Sequence, residues 1–339
     1  MKRVLILLLV VTLTVLPTIG CGATDQQQED EAPTGNSEEL TKVQVLLDWY
    51  PNTNHTGIYV AKDKGFYEEE GLEVEIIQPT GGGSAEPIAA GKGDFGISYQ
   101  EQVTYARTAE NPLPIKAIAA IIQHNTSGFA SPVEKGIETG KDFEGKKYGG
   151  WGSPMEEAMI KAVMEKEDGD FSKVETVNIG ELDFFTSVKD HVDFTWIYYG
   201  WDGVASELKD YPINFIKLQE VEPDLDFYTP VIIAKEDYIQ ENPELTKKFL
   251  NATRKGYEYA IESPEDAVQS LLKASPEIDK ELAVASQKYL AKEYKADVDR
   301  WGEMSLDRWE NYSNWMLERG LIENELDAKE AFTNEYLPE

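Results

Sequence analysis

The chain is poor in the residues that build covalent or metal-held frameworks. Its 339 residues include one cysteine and three histidines. A single cysteine excludes an intrachain disulfide framework and every site made from several thiolates. His55, His124 and His191 lie far apart in sequence, which argues against a metal centre and for ordinary hydrogen-bonded roles. Positive charge is also scarce: 32 Lys and Arg stand against 63 Asp and Glu, a formal net charge of −31. Such an acidic surface repels phosphate backbones, so nucleic acid is not an expected partner. Neither GxSxG nor HExxH occurs, and no nucleophile, base and orienting group fall together, so no catalytic residue and no cofactor are expected. Gly91-Lys92-Gly93-Asp94-Phe95-Gly96 matches GxGxxG by letter. It follows a predicted helix and opens a predicted strand, the reverse of a dinucleotide fingerprint, and reads as a glycine C-cap with a tight turn.

The apolar runs are short except at the start. Lys2 and Arg3 precede Val4 to Leu16, which only Thr12 and Thr14 interrupt; this has the length of a signal-peptide core and is too short to span a bilayer comfortably. Residues 1–20 are therefore expected to be a signal peptide. Pro17-Thr18-Ile19-Gly20-Cys21 places the sole cysteine directly behind it, an ending that resembles the lipobox of bacterial lipoproteins, with Thr18 where that pattern usually has Leu. The resemblance implies lipidation of Cys21 by acyl chains such as palmitate and a location on the extracytoplasmic face of the cell membrane. Residues 22–40 contain six acids, no base and almost nothing apolar, and complete a tether over 21–40. Such a stretch cannot bury enough surface to fold and would reach on the order of 25 Å.

What is abundant is apolar and aromatic: 41% hydrophobic residues, with seven Trp, 17 Tyr and 12 Phe, enough to bury sizeable cores. The length suits two lobes better than one. Strands are predicted over 43–47, 72–77, 95–99, 115–123, 174–179, 193–199, 214–218 and 231–234. Helices are expected between them, and the remainder from Glu236 to about Leu326 reads as almost wholly helical. Asn242-Pro243 and Ser263-Pro264 look like helix starts with a capping side chain and Pro at the first helical position. The alternation predicts an α/β fold of two lobes, residues 41–135 with 229–339 and residues 136–228, with crossings near 135 and 228.

Open α/β sheets bind ligands beyond the carboxyl ends of their strands. Four predicted strand ends are rich in aromatic and polar groups: Asp48-Trp49-Tyr50-Pro51-Asn52 leading to His55, Tyr99-Gln100-Glu101, Trp151-Gly152-Ser153-Pro154, and Trp196-Ile197-Tyr198-Tyr199-Gly200-Trp201-Asp202. Two fall in each lobe, which points to a cleft between the lobes. Asp48, Trp49, Asn52, Gln100, Glu101, Ser153, Trp196, Tyr198, Tyr199 and Asp202 are the candidate ligand-binding residues. Glu156 and Glu157 read as solvated positions on a helix surface.

At these residues the chain resembles a known family. The stretches LLDWYPNTNHTGIYVAKDKGFYEEEGLEVE, GKGDFGISYQE and WIYYGWDG are similar to those of the substrate-binding lipoproteins of ABC transporters for thiamine-pyrimidine precursors. The likeness covers about residues 40–325. It implies a two-lobed type 2 periplasmic-binding-protein fold and no enzymatic activity. It also implies capture of formylaminopyrimidine or hydroxymethylpyrimidine and delivery to an ABC permease by a monomer. By the same resemblance, Asp48, Trp49 and Gln100 would line the cleft from the first lobe, and Ser153, Tyr198 and Asp202 from the second. Two alternatives stay open: another small ligand, such as riboflavin, a sulfonate or thiamine, and a synthase-like enzyme resembling the fungal relatives, in which His55 would match an active-site histidine.

Overall fold

The computed structural model describes residues 39–78, 83–180 and 182–339. The expected signal peptide, Cys21 and the tether as far as Glu38 lie outside the described residues, as do Gly81 and Gly82.

Strict alternation starts the first sheet. In β1 (Thr41–Leu46) Val43 and Val45 are buried while Lys42 and Gln44 face solvent, and β2 (Leu72–Ile77) repeats this with Leu72 and Val74. With β3 (Phe95–Ser98), β4 (Ile115–Ala120) and the late strand β10 (Val231–Lys235), they form a five-stranded sheet of order β2-β1-β3-β10-β4. The second sheet, β7-β6-β8-β5-β9, uses β5 (Ser127–Pro132), β6 (Lys147–Gly150), β7 (Glu175–Asn178), β8 (Phe194–Tyr198) and β9 (Ile213–Lys217). The helices are α1 (Thr56–Asp63), α2 (Phe66–Glu69), α3 (Ala85–Ala89), α4 (Gln100–Thr108), α5 (Pro154–Glu165), α6 (Phe184–Asp190), α7 (Val204–Leu208) and α8 (Leu218–Val221). The C-terminal group is α9 (Glu236–Glu241), α10 (Pro243–Glu262), α11 (Pro264–Ala274), α12 (Lys280–Glu293), α13 (Leu306–Glu318) and α14 (Ala328–Ala331).

Both sheets have one design. Four strands run in one direction, and the single strand in the fourth position is antiparallel to both its neighbours: β10 against β3 and β4, β5 against β8 and β9. These two strands are the ones that follow the crossings between sheets. A chain that enters a lobe from the cleft side, where the parallel strands end, has to run away from the cleft, which sets their direction.

The first crossing is earlier than the sequence suggests. β5 already belongs to the second sheet, so the chain crosses between Ala120 and Ser127 and not near 135. Ser-Gly-Phe-Ala-Ser-Pro has no run of β-branched residues to signal a strand. It becomes one because it lies between β8 and β9, and all six residues are buried. Gly128 is required there, since a Cβ would come 2.3 Å from the Ile216 carbonyl oxygen. The return falls between Lys217 and Val231, a span that includes 228.

Hydrophobic clusters occupy both faces of each sheet. α13 is divided between them: Trp309 packs with Met304 and Ala331 beside the first sheet, whereas Tyr312, Trp315 and Met316 join Met155 and Phe227 beside the second. Pro243 and Pro264 do begin α10 and α11, but Asn242 and Ser263 make no side-chain cap. Their backbones are outside the extended region that aims a capping side chain at the first turn, and the Asn242 amide turns back to the Tyr238 carbonyl at 3.0 Å. None of the described helices is long and apolar enough to cross a membrane.

Candidate functional site

Beyond β1 the chain folds on itself. The Asn52 side-chain oxygen accepts from the Asn54 N–H at 2.9 Å, and its amide nitrogen donates to the Tyr50 carbonyl at 3.0 Å. The Asn52 backbone N–H donates to His55 Nδ1 at 3.3 Å, which puts the ring proton on Nε2, where it is donated to Asp48 Oδ1 at 2.7 Å. His55 is completely buried and α1 begins at the next residue. Asn52 and His55 therefore shape the loop, and Asp48 is held with one oxygen uncommitted among the described residues. Trp49 and Tyr50 stand out from it, 52% and 61% exposed.

Beyond β3, Gln100 is not open to a ligand. Its side-chain oxygen accepts from the Tyr228 N–H at 2.9 Å and its amide nitrogen donates to the Arg308 carbonyl at 3.2 Å, so the buried amide ties α4 to the return crossing and to α13. Glu101, one residue on, has its carboxyl pushed up to about 7, by burial first and then by the charge of Glu156.

The loop after β6 overturns the expectation for Glu156. This residue is 2% exposed, and its carboxylate accepts from the Tyr148 hydroxyl at 2.6 Å and from three consecutive backbone N–H groups: Trp151 at 3.2 Å, Gly152 at 2.8 Å and Ser153 at 2.8 Å. Ser153 Oγ accepts the Glu156 N–H in return at 3.3 Å, a capping box, so the Ser153 side chain is spent on the helix start. Glu157 is the solvated one, paired with Lys161. The burial of Glu156 follows from its being the third helical residue, which turns it back over the loop. Trp151 is 52% exposed and stacks on Trp196, with centroids 5.3 Å apart.

At the end of β8 the strand alternation separates two tyrosines. Tyr198 is 41% exposed and lies 6.1 Å from Trp196. Burial of its hydroxyl end, which meets Thr229, raises its pKa, and the charges of Glu101 and Asp48 raise it further. Tyr199 faces the other way: it packs on Phe215 and on Tyr289 of α12 and donates to Glu207 at 2.6 Å, so it is a packing residue and not a cleft residue. Asp202 sits in a wide turn, its carboxyl pushed up to about 6 by burial and then by Asp183, with Lys209 opposing.

The structure thus brings Asp48 and Glu101 of the first sheet's strand ends to Tyr198 of the second, with Trp49 and Trp151 on the flanking loops and Trp196 within β8. Asn52, Gln100, Ser153 and Tyr199 are committed elsewhere. Sequence reasoning did not nominate Tyr50, Trp151 or Glu156. The first two stood in the aromatic strand ends; the Ser-x-x-Glu spacing of a capping box was the available signal for Glu156. The three histidines stay apart, and His124 bonds instead to Asp226 at 2.7 Å and Asp297 at 3.0 Å.

Residues 52–267, from the loop after β1 through the whole second sheet into α11, match the model of the NMT1/THI5-like family. The chain belongs to that family. This NMT1/THI5-like chain is 28% identical over 320 residues to the formylaminopyrimidine-binding protein of Halalkalibacterium halodurans, covering 88% of this chain and 92% of that one. It is 25% identical to a 4-amino-5-hydroxymethyl-2-methylpyrimidine phosphate synthase of Legionella pneumophila, covering 88% and 93%. Among solved structures, the periplasmic aliphatic sulphonate binding protein SsuA of Escherichia coli superposes with a TM-score of 0.68 at 14% identity, covering 86% of this chain and 91% of that one. The fold is therefore the two-lobed α/β fold of periplasmic binding proteins, as the sequence predicted.

Proposed function

We propose that this chain is an extracytoplasmic solute-binding protein that captures a thiamine-related pyrimidine precursor, formylaminopyrimidine or hydroxymethylpyrimidine, and passes it to an ABC permease. On this reading it acts as a monomer held to the membrane through Cys21. The observation that carries the reading is where the exposed aromatic rings lie. Among the described residues, four of the seven exposed large hydrophobic side chains are Trp49, Tyr50, Trp151 and Tyr198, all at strand ends of the two sheets. Exposed rings at such positions suit a flat heterocycle, each stacked face contributing roughly 1–3 kcal/mol by analogy with nucleobases. Asp48 offers a free carboxylate oxygen to an exocyclic amine, and Glu101 when protonated offers a donor to a ring nitrogen or formyl oxygen. Similarity to the formylaminopyrimidine-binding protein over most of both chains supports this ligand class. The synthase reading draws on the Legionella pneumophila relative, but it would need a reactive His55, and both ring nitrogens of that buried side chain are engaged within the loop.

Calorimetric titration with formylaminopyrimidine and hydroxymethylpyrimidine tests the proposal. At least one should bind, and Tyr198→Ala should weaken it by roughly tenfold or more. Failure of both pyrimidines to bind the folded protein would refute the ligand class, and an unchanged affinity in Tyr198→Ala would remove that ring from the site.

A further inference from the structure

Three successive backbone N–H groups that converge on one point form a concave anion receptor, and the adjoining helix N-terminus adds favourable potential. The loop between β6 and α5 is such a receptor: the N–H groups of Trp151, Gly152 and Ser153 converge just ahead of Pro154. It stands at the carboxyl end of a parallel strand, where open sheets of this kind receive ligands. Its donors are already satisfied from within the chain, because the Glu156 carboxylate takes all three, with the Tyr148 hydroxyl as a fourth.

The backbone is built to admit that carboxylate. A Cβ on Gly150 would stand 1.9 Å from Glu156 Oε1, so only glycine leaves room for it. Gly152 has φ +84°, the left-handed conformation that lets neighbouring N–H groups point to one side. The negative charge installed here also reaches across the cleft, where it acts on Glu101.

We infer that Glu156 is a specificity-determining residue: an internal anion that fills the backbone receptor of the second lobe and thereby turns the cleft away from sulfonates, phosphates and carboxylates toward uncharged or cationic rings. It acts by occupying the loop and setting its charge, without itself reaching the ligand. The inference rests on the proposed cleft and adds to it what the cleft refuses.

The test titrates methanesulfonate and inorganic phosphate into the wild type, Glu156→Ala and Glu156→Gln. Tryptophan fluorescence is the readout, since Trp151 belongs to the loop, with the shift in melting midpoint beside it. The wild type should bind neither anion at millimolar concentration. Glu156→Ala frees the receptor and should bind at least one anion roughly tenfold or more tightly than the wild type does. Glu156→Gln keeps the shape but loses the charge and should show a smaller gain in the same direction. If the alanine variant does not fold, the glutamine variant decides. Wild-type binding of either anion in competition with the pyrimidine would overturn the inference, as would folded variants that take anions no better than the wild type. Pyrimidine binding by the wild type, measured alongside, separates this outcome from failure of the cleft assignment: a wild type that binds no pyrimidine refutes the cleft, whatever the anions do.

Discussion

If the cleft takes the proposed pyrimidine, Asp48 is a binding group prepared before any ligand arrives. A carboxylate on a free loop would lose rotamer freedom on binding; here the His55 ring holds it at 2.7 Å, and the Asn52 N–H holds His55 in turn. Removing His55 leaves a cavity and two unpaired polar groups beneath the cleft. His55→Ala should therefore lower stability by about 2–4 kcal/mol in urea unfolding. It should also weaken pyrimidine binding several-fold in calorimetry, since Asp48 is then free to turn. An unchanged affinity with reduced stability would mean that Asp48 does not meet the ligand in this orientation. Residue type alone could not separate the committed polar groups from the free ones. Asn52, Gln100 and Ser153 have the chemistry of ligand-binding side chains, yet each finds a backbone partner, nearby for Asn52 and Ser153 and from residues over a hundred positions away for Gln100. The aromatic strand ends were legible as a group but not ring by ring: Trp49 and Tyr198 are exposed there as expected, Tyr50 and Trp151 are exposed without having been nominated, and Tyr199 packs on Phe215 and Tyr289.

Helix α1 carries the loop after β1, and its seat on α10 is set by two glycines. A Cβ on Gly256 would stand 2.0 Å from the Gly57 carbonyl oxygen, and one on Gly57 would fall 2.3 Å from the Tyr257 ring. The helices meet backbone to backbone. Gly-to-Ala in a helix interior ordinarily stabilises by about 1 kcal/mol, but here the obstructing atom is main chain and cannot swing aside. Gly256→Ala should therefore destabilise, lowering the melting midpoint by roughly 3–6 °C in calorimetry; a rise would show that α1 can shift at no cost. α1 lies where a helix was expected, between the strands predicted at 43–47 and 72–77, but the closeness of its contact was not legible, because α10 is nearly two hundred residues further on. β5 was illegible for a related reason. Strands such as β1 and β2 announce themselves through alternation, which arises when one face is covered and the other wet. β5 is covered on both faces and bordered on both edges, so small residues suffice and no pattern remains.

At the scale of the whole molecule, acid and base act in opposite directions on a chain of net charge −31. Among the groups that titrate between about pH 4 and 8, Glu101, Asp202, His124 and Asp224 bind protons more tightly when folded than when unfolded, Asp224 through burial and then the charge of Glu222. Glu101 is raised to about 7 by burial and by Glu156, and Asp202 to about 6 by burial and by Asp183. His124 is raised by its bonds to Asp226 and Asp297, against burial and the nearby Arg308. A raised group contributes stability that is complete below its unfolded pKa and disappears as pH climbs through its folded pKa. Glu101 therefore loses its contribution between about pH 4.5 and 7, Asp202 between about 4 and 6, and His124 above about 6.5. Asp63, Asp142 and Asp297 have lowered pKa values, through their hydrogen bonds to Lys273, to the Glu138 N–H and to His124 respectively. Their contribution is present above about pH 4 and lost below it. The melting midpoint should accordingly peak near pH 5 and fall steadily toward pH 8. Glu101 alone accounts for at most about 3 kcal/mol of that fall, and for less to the extent that water in the cleft screens its carboxyl. Glu101→Gln separates this local cause from general repulsion among the surface acids: the variant should lose part of the slope between pH 5 and 7 and keep the rest. A variant whose profile parallels the wild type throughout would assign the whole pH dependence to the surface and leave Glu101 as an ordinary carboxylate.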